Sequence, residues 1–125
     1  MSISSESVAP EITNLGLSAE GHAMLKRLRD SGVFTEMSDA YRLGISLAVR
    51  LQVTPPPLTD RTTVFGVATV DPDGKLRTAI EAVYGTSDLT PYRLAERLAD
   101  WGVREIDRRR DGESLQFADI IAMSE

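Results

Sequence analysis

Between Met37 and Leu51 the chain presents a helix with almost no side to leave in water. Asp39, Arg42, Ser46 and Arg50 fall at steps of three, four and four, which is a single line along a helix. Everything between them is apolar or small, from Ala40, Tyr41 and Leu43 to Leu47, Val49 and Leu51. A helix that is apolar nearly all round must be covered on several sides. In a chain of 125 residues this points first to self-association, a homodimer or higher oligomer. The same residues also alternate, with Tyr41, Leu43, Ile45, Leu47, Val49 and Leu51 against Arg42, Gly44, Ser46, Ala48 and Arg50, which is a strand pattern. The helix is preferred because the run is long for a strand. Thr35 or Ser38 offers an N-cap, and Leu, Ala and Arg are good helix formers.

The preceding residues supply two more elements. Ile12 to Leu17 alternates as a short strand, with Thr13, Leu15 and Leu17 facing the core and Ile12, Asn14 and Gly16 facing out. Ser18 caps a helix whose positive start suits Glu20. That helix buries Met24, Leu25 and Leu28 and exposes Lys26, Arg27, Arg29 and Asp30. Gly32 sits where a left-handed C-cap is expected.

Beyond this region, residues 53–62 form a proline-rich linker (Pro55, Pro56, Pro57). TVFGVATV, residues 63–70, reads as a strand or hairpin edge. The DPDGK turn opens a helix with Leu76, Ala79, Ile80, Val83 and Tyr84 on one face, ended by Gly85. Pro91 at a first helical position opens another helix, burying Leu94, Leu98 and Trp101 and stopping or kinking at Gly102. A last amphipathic segment, Leu115 to Met123, is expected to dock on the core, and residues 1–10 to form a flexible tail. The fold class is therefore mainly α with a short β-ribbon. An N-terminal dimerisation and binding region spans 11–52, and a strand plus helical region spans 63–125.

Composition narrows the chemistry. Without cysteine there is no disulfide and no thiolate metal site, and a single histidine, His22, excludes a multi-histidine metal site. The N-terminus lacks the features of a signal peptide, and no apolar run approaches the ~20 residues of a membrane helix, so a cytoplasmic protein is expected. The net charge of −5 disfavours broad nucleic-acid binding. It is unevenly spread, however: residues 18–50 carry five basic against four acidic groups, residues 51–125 nine against thirteen. A basic face must come from residues 18–50 or from the arginines near residue 108.

The strand–helix–turn–helix order of residues 12–51 resembles the ribbon-helix-helix family, whose strands pair between two chains and read DNA in the major groove. The resemblance implies that residues 12–17 pair with their counterpart across a two-fold axis. It also implies DNA contacts from Asn14, Gly16, Lys26, Arg27, Arg29 and Ser38. Of the outward strand residues only Asn14 can make a bidentate contact to a base; Ser38 and the helix start suit a phosphate. A longer pattern is similar to the DndE family of DNA phosphorothioation accessory proteins. It runs through Leu17, Ser18, Leu25, Leu28 and Gly32, then Arg42, Leu43, Gly44 and Ser46, then AVYG and LADWGVREI. That similarity implies a DNA-associated oligomer, although the lysines of that family are not matched here.

Other signals reduce to structure. Asp71, Asp73 and Gly74 lack calcium-loop spacing and read as a turn with a helix cap. His22 lacks a motif-linked nucleophile and reads as a surface residue. Arg108, Arg109 and Arg110 read as a solvated helix end between Asp107 and Asp111, and Trp101 as core rather than a base-stacking partner of Tyr92. The function expected is a non-enzymatic DNA-associated protein without cofactor or metal, either a small transcription regulator or an accessory factor of a DNA-modification or defence system. The alternative is an oligomerisation or protein-binding module.

Overall fold

The computed structural model of the chain describes residues 11–85 and 89–112, the last two by their backbone alone. The expected tail and the Leu115–Met123 segment lie outside the described residues. Seven elements follow in order: β1 (Asn14–Leu17), α1 (Ala19–Asp30), α2 (Met37–Arg50), β2 (Thr62–Gly66), α3 (Val67–Val70), α4 (Lys75–Tyr84) and α5 (Pro91–Gly112). The chain is mainly helical with one short two-stranded antiparallel sheet. No helix among the described residues is long and apolar enough to cross a membrane.

Local chemistry explains most element ends. Ser18 caps α1, its Oγ accepting from the Gly21 N–H at 3.0 Å, and Gly32 follows the helix at φ 85°. At the end of α2, Gln52 takes the left-handed conformation at φ 53°. Its N–H donates to the Val49 carbonyl while that of Val53 reaches the Ala48 carbonyl, a Schellman closure without glycine. The cap expected from Thr35 or Ser38 is absent: Glu36 holds the N-cap position with no side-chain bond, and Ser38 is buried inside the first turn of α2. In the DPDGK turn the Asp71 carboxylate accepts from the N–H groups of Leu76 (2.9 Å) and Arg77 (3.0 Å), so it caps α4.

The ribbon departs from expectation. β1 pairs antiparallel with β2 of its own chain, Asn14 opposite Gly66 and Leu15 opposite Phe65, with an irregularity before Gly16. The other edge of β1 is closed by side chains. The Gly16 N–H donates to Glu96 Oε1 at 2.9 Å, and its carbonyl accepts from the Tyr41 hydroxyl at 2.9 Å. Arg61 donates to the Asn14 carbonyl at 2.8 Å. The Gly16 N–H and carbonyl and the Asn14 carbonyl are thus all satisfied within one chain. The 63–70 strand is also shorter than expected. After Gly66 the Val67 N–H still reaches the Thr13 carbonyl, and the chain then turns into the single-turn helix α3.

The partner that α2 requires is α5. Their contact is the most extensive among the described elements, and Ala40, Tyr41, Leu43, Ile45, Leu47 and Ala48 enter a common core with Ala95, Leu98, Ala99, Val103 and Ile106. Gly102 does not stop α5, which continues to Gly112. It lies against Gly44, and a Cβ added there would fall 2.0 Å from the Gly44 carbonyl oxygen. The apolar girth that suggested self-association is therefore covered inside a single chain.

Candidate nucleic-acid interface

One stripe of α5 carries Glu96, Asp100, Arg104 and Asp107, successive turns of the same face. This stripe runs along β1 and then α1. Glu96 closes the strand edge and also pairs with Arg61 at 3.0 Å. Asp100 accepts from both the Ser18 N–H (3.1 Å) and the Ser18 hydroxyl (2.8 Å), and it pairs with Arg104 at 3.0 Å. Arg104 also reaches Glu20 near the start of α1. At the far end, buried Asp107 pairs with Arg27 of α1 at 2.5 Å and with Arg110 at 3.3 Å. Glu96, Asp100 and Asp107 are all buried, and each has cationic or N–H donors facing it.

The Asp107 contact brings together the two segments from which a basic face could come. Lys26 and Arg29 flank Arg27 on the exposed side of α1, while Arg108 and Arg109 both pair with Glu105 next to Asp107. Among the residues whose side chains are described, this end holds six cations (Lys26, Arg27, Arg29, Arg108, Arg109, Arg110) against three carboxylates (Asp30, Glu105, Asp107). Asp107 and Glu105 lie deep, their side chains 5% and 15% exposed, whereas Asp30 is exposed. Arg27 (54%) and Arg108 (69%) lie outward, and Arg109 and Arg110 are about a quarter exposed.

The residues expected to contact DNA separate into two groups. Asn14 is exposed at the start of β1, and Lys26, Arg27 and Arg29 belong to the basic end. Gly16 does not face solvent: Arg61 covers it, and a Cβ would meet the Thr62 carbonyl at 2.7 Å. Ser38 is buried. Neither Gly16 nor Ser38 is available to a phosphate or a base. The arginines at 108–110, read from the sequence as a solvated helix end, are the residues that the tertiary structure adds. The signal that could have found them is the spacing of Glu105 and Asp107 to the arginines three and four positions on.

Other candidates settle into structural roles. Tyr92 is buried and donates to Asp71 Oδ2 at 2.8 Å; burial and that bond push its hydroxyl pKa up to about 12. Trp101 is partly buried against the core. His22 is half-buried, and burial followed by the nearby Lys26 charge lowers its pKa. Among the described residues no group of three or more His, Cys, Asp or Glu could hold a metal ion.

The hydrogen bond from Arg108 holds the Glu105 carboxyl below its ordinary value of 4.5, against the effect of partial burial and with the help of Arg109. A carboxyl whose folded-state pKa is depressed stabilises the fold above its unfolded pKa, and that contribution is lost as pH falls through the folded value. The stability gap between the wild type and Glu105→Gln should therefore be full at neutral pH and close as pH falls below 4.5. Denaturant titrations across that range check this, and a gap independent of pH would show that the arginines do not hold the carboxylate.

No protein-family model, curated protein or solved structure matches the chain.

Proposed function

We propose that this is a non-enzymatic DNA-associated protein that meets the phosphate backbone of duplex DNA through the basic end formed by α1 and α5. The observation that supports it is the Arg27–Asp107 contact, which joins the cations of α1 to the arginine run of α5 in an otherwise acidic chain. Phosphate contacts place a protein on DNA but carry no sequence information. Asn14, exposed on the ribbon, is the remaining candidate for a base contact. A small regulator and an accessory factor of DNA modification both fit such a surface.

Fluorescence anisotropy at low salt, against a random duplex and the DNA upstream of the gene, tests the reading. Binding is expected with a Kd of about 10⁻⁶ to 10⁻⁴ M, falling with salt by about 0.9 log units per tenfold salt for each phosphate neutralised. Reversing Arg27 and Arg108 together to glutamate should abolish it. A wild type that fails to bind at about 100 μM, at the weak limit of non-specific affinities, would instead favour a protein-binding module. Sedimentation of the same samples shows whether one chain or two forms the binding unit.

A further inference from the structure

The basic end carries its own carboxylates, and their placement is unlike that of solvated counter-charges. Asp107 is buried at the α1–α5 junction and meets Arg27 from one helix and Arg110 from the other. Glu105, two residues earlier with a side chain 15% exposed, meets Arg108 and Arg109. Four guanidinium groups are therefore paired with two largely buried carboxylates on different sides of α5. The Arg27 and Arg108 side chains are mostly exposed, those of Arg109 and Arg110 about a quarter exposed. An exposed arginine otherwise spends its time in many rotamers, and fixing it on a ligand costs about 0.5–1.5 kcal/mol of ordering. A carboxylate that already orients the guanidinium removes part of that cost, and a guanidinium carries five N–H donors in all.

We infer that Asp107 and Glu105 are positioning residues of the DNA-binding surface: they hold Arg27, Arg108, Arg109 and Arg110 ready for backbone phosphates, so neutralising either weakens binding although it removes a negative charge. The inference rests on the DNA reading above. It is opposed in sign to what charge alone dictates, because each neutralisation makes the surface more positive and long-range attraction stronger.

Asp107→Asn and Glu105→Gln are titrated with a random duplex over a range of salt concentrations, each checked by thermal melting at the assay temperature. The expected result is about threefold to tenfold weaker binding for each folded variant, the equivalent of one or two side chains left unordered. The salt slope should match the wild type, because the same phosphates are neutralised. Unchanged or tighter binding, or a steeper slope, would overturn the positioning role while leaving the DNA reading intact. A wild type that does not bind removes the DNA reading and this inference with it. Should Asp107→Asn melt below the assay temperature, Glu105→Gln decides, because its carboxylate is less deeply buried than that of Asp107.

Discussion

Replacing Gly102 with alanine is expected to lower the unfolding free energy by about 2–3 kcal/mol, the scale of overpacking a filled core. Helix propensity alone predicts the reverse, since alanine is favoured over glycine by about 1 kcal/mol in a helix interior. The steric term wins because the new Cβ would meet backbone, not a side chain able to move aside. It would lie 2.0 Å from the Gly44 carbonyl oxygen, 2.4 Å from its carbon and 2.5 Å from its Cα. The α2–α5 crossing must open to admit it, and that crossing holds the largest helix contact among the described elements. Chemical denaturation measures the change. An unchanged or higher midpoint would mean that the helices do not approach so closely.

Asp100→Ala is expected to cost about 3 kcal/mol, because it leaves the buried Ser18 N–H and hydroxyl without their acceptor and takes one of its two carboxylate partners from Arg104, which keeps Glu20. The loss reaches further than one bond. Ser18 caps α1, so the start of that helix and the end of β1 are both held by this carboxylate. Asp100→Asn keeps an oxygen for the Ser18 N–H but gives up the charge facing Arg104, so it should cost less than alanine. Equal losses for the two, or a negligible loss for alanine, would show that the polar stripe of α5 does not anchor the N-terminal elements. Thermal unfolding of the three proteins separates these outcomes.

How far the chain could be read depended on the range of each interaction. The basic end shows the intermediate case: Lys26, Arg27 and Arg29 were visible as the exposed side of α1, and the arginines at 108–110 as a charged helix end. That the two segments meet depends on Arg27 reaching Asp107 across 80 positions of chain. Asn14 was correctly placed as exposed, whereas Gly16 was misplaced because Arg61, far along the chain, folds over it.

The sequence by itself determined the elements whose causes are local. The 3.6-residue period marked α1, α2, α4 and α5; Ser18, Gly32, Gly85 and Pro91 marked ends and starts, since capping and backbone restriction act over three or four residues. The inward faces of Leu15 and Leu17 also followed from a local period of two. Only the tertiary structure decided what those faces meet. A strand's alternation states which side is apolar but not which chain supplies its neighbour, so β2, Glu96 and Arg61 could take positions reserved in the sequence reading for a second copy. Likewise, an apolar helix requires cover without naming its source. α5 supplies it to α2, because a glycine on each helix lets the two backbones close.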